Sequence, residues 1–207
     1  MQNGERSIAG WPILGGMNQR PNRVLVPLAE GFEEIEAVTV IDVLRRAGLD
    51  VFVAGLAPGV VTGAHGVGVV TDGELGELAA DWAQAIVLPG GMPGTRALRE
   101  DERVLALVRD LAGQGRLTAA ICAAPTVLAA AGVEGGRELT SHPSVRTELG
   151  AAKVVTDARV VRSGNVLTSQ GAGTAMEFAL ALVAELVSPG RAAELAAAMV
   201  VASGEVV

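Results

Sequence analysis

The sequence of 207 residues is poor in the residue types on which several protein classes depend. Its one cysteine, Cys122, cannot form a disulfide within the chain, and with only His65 and His142 beside it we expect no zinc site. A net charge of −7 with a single lysine, Lys153, argues against sequence-independent binding to nucleic acid. No tyrosine, two tryptophans and three phenylalanines leave too few rings for a base-stacking surface. These shortages exclude a disulfide scaffold, a zinc finger and a nucleic-acid partner.

The chain also lacks an unbroken hydrophobic run, although half of its residues are hydrophobic. Its longest apolar stretch, Leu117 to Val133, is interrupted by Pro125 and Gly132, whereas a spanning helix needs about 20 predominantly apolar residues. A sheet covered by helices on both faces explains this composition, because its strands are apolar on both sides. We therefore expect a cytoplasmic protein with no membrane partner.

The first 20 residues do not have the pattern of a secretory signal, because Glu5 and Arg6 precede only a short apolar stretch that contains Pro12. We expect residues 1–20 to be a disordered extension or a misassigned start, with Met17 as an alternative initiator. Residues 21–207 are expected to form a single domain.

Short β-rich runs alternate with segments of helical period from Arg23 onward. This alternation predicts βαβ units, and hence an α/β fold in which a mostly parallel sheet carries helices on both faces. The predicted strands are Arg23–Leu28, Asp50–Leu56, Gly66–Thr71, Ala85–Leu88, Leu117–Ile121, Arg159–Arg162 and Val166–Thr168, the last two forming a hairpin. The predicted helices are Glu33–Ala47, Glu102–Ala112, Ala124–Ala131, Thr174–Val187, which a Thr174/Glu177 capping box would open, and Gly190–Ser203.

Three loops follow predicted strands and have a composition suited to ligand binding, which in such sheets occurs beyond the carboxyl ends of the strands. They are residues 27–31, 88–91 and 120–125. In the second loop, Gly90 and Gly91 allow positive φ angles and a close approach of backbone N–H groups to a ligand, although a simple tight turn explains them equally well.

Cys122 lies between a predicted strand and a predicted helix, where the helix N-terminus and free N–H groups would stabilise a thiolate. The alternative is that Cys122 is a small buried hydrophobe, as free cysteines often are.

Glu36 lies at the edge of the buried stripe of its helix, where enclosure would favour the neutral carboxyl. Complementation of the helix dipole, which accounts for Glu33 and Glu34, is the alternative for Glu36. His142 is a loop histidine, and the sequence is consistent either with a function for it or with an ordinary loop residue that has none.

Together these segments resemble the DJ-1/PfpI (ThiJ) superfamily, and within it the Parkinsonism-associated deglycase-like branch. The resemblance extends from about Arg23 to Val201. The stretches that carry it are VLVPLAEGFEEIE (24–36), DVLRRAG (42–48), VLPGG (87–91), AAICAAP (119–125), TSHP (140–143) and LTSQGAGT (167–174).

The resemblance implies a flavodoxin-like three-layer sandwich that forms homodimers and needs no metal or organic cofactor. It implies that Cys122 is a nucleophile on a strained elbow, that Glu36 reaches its sulfur, and that His142 lies nearby without forming a tight triad. It also implies that the loop of Gly90 and Gly91, together with Ala123, supplies backbone amides to an oxyanion. The activities implied are conversion of methylglyoxal or glyoxal to a hydroxy acid without glutathione, or removal of early glycation adducts. A cysteine redox sensor and a stress chaperone are the alternatives within the same family.

Some positions depart from related patterns. Protease-like members have a histidine where this chain has Ala123, and the chain lacks the His-x-Glu of amidotransferase relatives. His65 and Gln170 stand where some members of the deglycase branch have arginines, which bears on contacts with anions. The departures therefore argue against protease and amidotransferase chemistry.

Overall fold

The computed structural model describes residues 22–76 and 80–202, and its central feature is a seven-stranded sheet. The strands of the chain are β1 (Arg23–Leu28), β2 (Asp50–Gly55), β3 (Val60–Thr62), β4 (Gly68–Val70), β5 (Gly73–Glu74), β6 (Ala85–Leu88), β7 (Leu117–Ile121), β8 (Glu138–Leu139), β9 (Lys153–Val154), β10 (Val160–Ser163) and β11 (Val166–Ser169). The central sheet has the order β10-β11-β7-β6-β1-β2-β5, in which only the edge strand β10 is antiparallel to its neighbour.

Helices cover both faces of this sheet. They are α1 (Glu34–Arg46), α2 (Gly94–Glu100), α3 (Glu102–Gly113), α4 (Pro125–Ala130), α5 (Ala175–Leu186) and α6 (Pro189–Ala198). Because side chains alternate along a strand, Val24 and Val26 of β1 pack with α1, α5 and α6, whereas Leu25 packs with α2, α3 and α4. The predicted α/β sandwich with helices on both faces is therefore confirmed.

Several predicted elements need correction. The strand predicted at Gly66–Thr71 exists but is shorter and lies outside the central sheet: β4 covers Gly68–Val70 and pairs antiparallel with β3 in a separate hairpin. The helix predicted at Gly190–Ser203 begins at Pro189 and ends at Ala198, and the Ser188 side chain caps it by accepting the Arg191 N–H. The predicted hairpin of β10 and β11 is confirmed.

The predicted capping box of Thr174 and Glu177 is also wrong. The Thr174 side chain makes no capping bond to α5 and instead accepts the N–H of Gly171 at 3.1 Å. Glu177 forms an ion pair with Arg159 at 2.7 Å. The sequence has the spacing of a capping box, but the Thr174 side chain bonds to the loop before α5 and the Glu177 side chain pairs with Arg159, which precedes β10.

Within the described residues, none of the helices has the length and hydropathy needed to cross a membrane. The predicted extension, residues 1–20, lies outside the described residues.

Candidate active site

The candidate site lies at the carboxyl ends of three adjacent strands. β6 lies between β1 and β7 in the sheet, so the loops that follow these strands meet at one edge. The Glu33 N–H donates to the Gly90 carbonyl at 2.9 Å, which joins the first loop to the second. Three of the predicted site positions, Glu36, Gly90 and Cys122, therefore come together in space.

Cys122 occupies the turn between β7 and α4 and is partly exposed. Its φ angle is +63°, a left-handed conformation that is uncommon for residues other than glycine. The Cys122 N–H donates to the Ser169 carbonyl at 3.0 Å, and its carbonyl accepts the His142 N–H at 2.8 Å. Two backbone hydrogen bonds to distant segments thus hold the strained turn that presents the sulfur.

Glu36, in the first turn of α1, has no solvent-exposed surface. Its Oε2 accepts the Gly90 N–H at 2.8 Å, and its carboxyl group interacts with the Cys122 thiol. A methyl group on Gly90 would lie 2.6 Å from Cys122 Cβ and 2.7 Å from Glu36 Oε2. The cysteine and glutamate side chains therefore face each other across the bare Cα of Gly90, and a glycine is required there.

The environment of Glu36 changes its protonation. Burial raises the pKa of Glu36 from 4.5 to about 7; the Gly90 N–H and the Cys122 thiol act in the opposite direction, and the charge of Glu33 adds to the rise. Complementation of the helix dipole requires an ionised carboxylate, and burial disfavours that form of Glu36. It therefore does not account for the position of Glu36. Oε2 is occupied by an N–H donor, so Oε1 is the oxygen that is free to carry the proton.

Burial raises the pKa of Cys122 to about 12, and the charge of Glu36 adds to this rise. The N–H groups of Ala123 and Gly91 act in the opposite direction. The expectation of a thiolate stabilised by the helix N-terminus is therefore not met, because burial and the Glu36 carboxylate raise the pKa of the thiol more than the N–H groups of Ala123 and Gly91 lower it. Protonation of Glu36 removes its negative charge and turns it into a donor to sulfur, so the two groups share a proton.

His142 is exposed and follows the buried pair Thr140 and Ser141. Its Nδ1 accepts the Ser144 N–H at 3.3 Å and lies 2.7 Å from Ser144 Oγ. His142 is thus joined to Cys122 through the backbone, while its ring is engaged by Ser144.

Two further residues support the site: Ser169, for which the sequence predicted no role, and Thr174, for which it predicted only a capping box. Their hydroxyl oxygens are 2.6 Å apart, and both residues are buried. Ser169 also provides the carbonyl that accepts the Cys122 N–H. The glycines and the polar residues of the LTSQGAGT stretch could signal a loop, but its contact with Cys122 depends on the pairing of β11 with β7.

A second cluster, Glu33, Glu34 and His65, brings three potential metal-ligating atoms within 4.8 Å of one another. Glu34 accepts the N–H groups of His65 at 2.6 Å and Val67 at 3.3 Å, and its Oε2 lies 2.9 Å from His65 Nδ1. These hydrogen bonds already use both Glu34 oxygens, so the cluster fastens the turn before β4 to the start of α1.

The chain is similar to members of a known protein family in both sequence and structure. The model of the DJ-1/PfpI family matches residues 22–185. The chain is 46% identical over 180 residues to Drosophila melanogaster dj-1beta, covering 86% of this chain and 96% of that protein. The crystal structure of Drosophila DJ-1beta has a TM-score of 0.84 at 44% identity, covering 87% of this chain and 98% of that one.

The names of two further relatives refer to an enzymatic activity and to an oxidized protein. The glutathione-independent glyoxalase DJR-1.2 of Caenorhabditis elegans is 39% identical over 173 residues, covering 83% of this chain and 91% of the relative. The structure of an oxidized Toxoplasma gondii DJ-1 has a TM-score of 0.81 at 37% identity, covering 86% of this chain and 97% of that one.

Proposed function

Because this chain belongs to the DJ-1/PfpI family, we propose that it is a cysteine-dependent glyoxalase or deglycase, acting on methylglyoxal, glyoxal or early glycation adducts. The observation that carries the proposal is the Cys122 thiol facing the buried Glu36 carboxyl across Gly90, on a turn with positive φ. This pair supplies a nucleophile and an acid–base group in contact. The name of the C. elegans relative supports a dicarbonyl as substrate.

The first step is addition of Cys122 sulfur to the aldehyde carbon of the dicarbonyl. The thiol proton passes to Glu36 as the C–S bond forms, and the carbonyl π bond becomes an alkoxide. The N–H groups of Gly91 and Ala123, which face the sulfur, stabilise the developing oxyanion. Glu36 then returns the proton to the alkoxide, giving a neutral hemithioacetal.

The second step is an internal rearrangement, in which no outside oxidant or reductant is consumed. Glu36 removes the proton from the former aldehyde carbon and delivers it to the neighbouring carbon, while the hydroxyl proton of the hemithioacetal passes to the neighbouring carbonyl oxygen. The former aldehyde carbon thereby becomes the thioester carbonyl, and its neighbour becomes a carbon that bears a hydroxyl. The product is a thioester of a 2-hydroxy acid on Cys122. Water then cleaves this thioester, releasing the acid and restoring the thiol. A pKa of Glu36 near 7 suits both directions of proton transfer at neutral pH.

Replacement of the nucleophile tests the proposal. Cys122→Ala should abolish lactate formation from methylglyoxal, because no other cysteine is present to form the thioester. His65→Ala is the matched control, since His65 belongs to the second cluster, and it should retain activity. Full lactate formation by Cys122→Ala would contradict the proposed mechanism.

A non-enzymatic redox sensor is the second candidate, and the same contacts support it. A protonated Glu36 and the N–H groups of Gly91 and Ala123 can donate to the oxygens of a Cys122 sulfinate. The oxidized Toxoplasma relative is consistent with such chemistry in the family. Mass spectrometry after mild peroxide should then show a gain of two oxygens on the Cys122 peptide. Absence of methylglyoxal turnover together with this gain would favour the sensor.

We also propose that the protein is a homodimer. Ile35 and Val38 of α1 and Val67 and Val70 of the hairpin segment are each about half exposed or more. Val38 and Val70 line one groove between α1 and β4. We name these four residues the α1–β4 patch; its apolar surface is suited to burial against a second copy.

Each proposed chemical step uses groups of this chain, the substrate and water, so we propose that the protein acts without a metal or an organic cofactor. We also propose that residues 21–207 form one domain. The proposed location is the cytoplasm, where a dicarbonyl or glycated substrate would be met.

A further inference from the structure

His142 holds a position in which only one of its ring nitrogens can carry a proton while the imidazole is neutral. It is the N-cap residue of the 3₁₀ helix Pro143–Glu148, and Nδ1 accepts the Ser144 N–H at 3.3 Å. A backbone N–H can only donate, so Nδ1 carries no hydrogen in this arrangement. The Ser144 hydroxyl, 2.7 Å from the same nitrogen, must then donate to it as well.

A neutral imidazole has one N–H, so with Nδ1 unprotonated the proton lies on Nε2. We propose that Ser144 fixes His142 in the Nε2–H tautomer and that His142 therefore serves the reaction as a hydrogen-bond donor to substrate, not as a general base. This inference rests on the proposed function. Ser144 is a positioning residue in it, because it acts through the His142 ring.

The location of the ring supports a role at the site. The His142 N–H donates to the Cys122 carbonyl at 2.8 Å, so the histidine is fixed to the residue that carries the nucleophile. Cδ2, the ring carbon bonded to Nε2, lies next to Gly171, where an added methyl group would be 3.6 Å away. Gly171 is two residues beyond Ser169, which accepts the Cys122 N–H. His142 is an exposed residue, so its side chain as a whole is not enclosed by the protein.

The chemistry of a dicarbonyl requires such a donor. One substrate oxygen becomes the oxyanion at Gly91 and Ala123, and the second oxygen needs a partner while its carbon is converted from carbonyl to hydroxyl. Glu36 already contacts the sulfur and can move the protons between carbons. A hydrogen bond from the neutral His142 to the second oxygen gives each substrate oxygen a donor, and no second base is needed.

The tautomer can be measured directly, because the chain has only two histidines. We suggest ¹⁵N-histidine labelling and long-range ¹H–¹⁵N spectra at about pH 9, well above the ordinary pKa of histidine, with His65→Gln to assign the signals. His142 should show the Nε2–H tautomer. Ser144→Ala should increase the share of the Nδ1–H form, and Ser144→Thr should restore the original pattern. A dominant Nδ1–H form in the unaltered protein would overturn the proposal.

Kinetics with methylglyoxal separate a donor from a base. Loss of one neutral hydrogen bond changes a rate about 2- to 12-fold, whereas loss of a general base costs about 10²- to 10⁴-fold. His142→Gln keeps an N–H near the Nε2 position and should stay within about 3-fold of the unaltered kcat/KM. His142→Ala should lose about 10-fold in kcat/KM, with a lower kcat as well as a higher KM. A loss of 100-fold or more in both variants would overturn the donor role.

The same experiments distinguish failure of this inference from failure of the proposed function. If the unaltered protein does not turn over methylglyoxal or glyoxal, the proposed function fails and the donor role fails with it. The NMR measurement still decides whether Ser144 sets the tautomer of His142, because it needs no turnover.

Discussion

At the scale of single residues, the site depends on how differently three neighbouring glutamates are placed. Glu36 has no exposed surface, whereas Glu33 remains partly exposed and Glu34 is bonded to the turn before β4. The apolar stripe of α1 predicts the inward position of Glu36. Its contact with Cys122 could not be predicted by the residues alone, because it depends on the bare Cα of Gly90, which lies 54 residues along the chain from Glu36.

The raised pKa of Glu36 predicts a pH-dependent stability. In the folded protein the pKa is about 7 against an ordinary 4.5, so folding favours the proton and stability is lost as pH rises from about 4.5 to 7. Glu36→Gln should match the unaltered protein near pH 4 and exceed its free energy of unfolding by about 3 kcal/mol at pH 8. Urea unfolding at the two pH values measures this difference.

Glu34→Gln is the matched control for that experiment. Burial acts to raise the pKa of Glu34, but hydrogen bonds from His65 and Val67 outweigh it and lower the pKa to about 2. This variant should therefore lose stability at pH 8, where Glu36→Gln gains it. Equal stabilities of Glu36→Gln and the unaltered protein at pH 8 would show that the folded protein does not disfavour the ionised form of the Glu36 carboxyl.

Gly90→Ala tests the contact across the site. The added methyl group would meet Cys122 Cβ and Glu36 Oε2 at less than 3 Å, so one side chain must move. We expect kcat/KM for methylglyoxal to fall by more than about 10-fold, because a displacement of this size misaligns reacting groups. Gly135→Ala, where a methyl group meets nothing within 4 Å, should keep its activity. Unchanged activity in Gly90→Ala would mean that the reaction does not depend on the close approach of Cys122 and Glu36 across Gly90.

At the scale of elements, the segments whose bounds can be predicted from the sequence are those with a continuous hydrophobic run of four residues or more. The buried strands β1, β6 and β7 were predicted with their observed bounds, because each is a short apolar run flanked by turn residues. The two-residue strands β5, β8 and β9 were missed, because two residues carry no detectable period. Helix α2 was missed because its seven residues follow a Gly-Gly-Met-Pro turn.

The loop between β11 and α5 shows why a local pattern can mislead. Thr174 and Glu177 satisfy the spacing of a capping box, yet the Thr174 hydroxyl bonds to Gly171 and Ser169. Tertiary contacts determine the partner of such a side chain, and the sequence spacing alone does not show them.

Thr174→Val tests this loop, because it removes the hydroxyl and leaves the Gly171 N–H and the Ser169 hydroxyl without that partner. We expect a loss of about 1–3 kcal/mol in the free energy of unfolding. We also expect a lower kcat, since Ser169 supports the Cys122 turn. Thr174→Ser keeps the hydroxyl and should recover most of both. If Thr174→Val is as stable and active as Thr174→Ser, the hydroxyl does not support the site.

At the scale of the whole molecule, the α1–β4 patch and the site share one helix. Glu36, in the first turn of α1, points into the site, while Ile35 and Val38 of the same helix face outward. Periodicity predicted the inner face of α1. The outer patch was not predicted from the residues, because β4 reaches α1 only through the fold of the hairpin.

The double variant Val38→Glu and Val70→Glu tests the proposed dimer. Two buried charges at a self-facing patch would repel, so we expect the dimer to dissociate at least about 10-fold more readily in analytical ultracentrifugation. Val187→Glu, at another exposed valine outside the patch, should leave association unchanged. A double variant that stays dimeric would place the interface elsewhere, and a monomeric unaltered protein at 50 μM would overturn the proposal.

The two backbone hydrogen bonds of Cys122 have a practical consequence for structure determination with a bound ligand. They join its amide and carbonyl to Ser169 and His142 without using the sulfur. Alanine or serine at this position would meet the same left-handed backbone and keep both anchors. Such inert proteins should hold an unreacted dicarbonyl in the native pocket shape, and are the material of choice for co-crystals that capture the complex before bond formation.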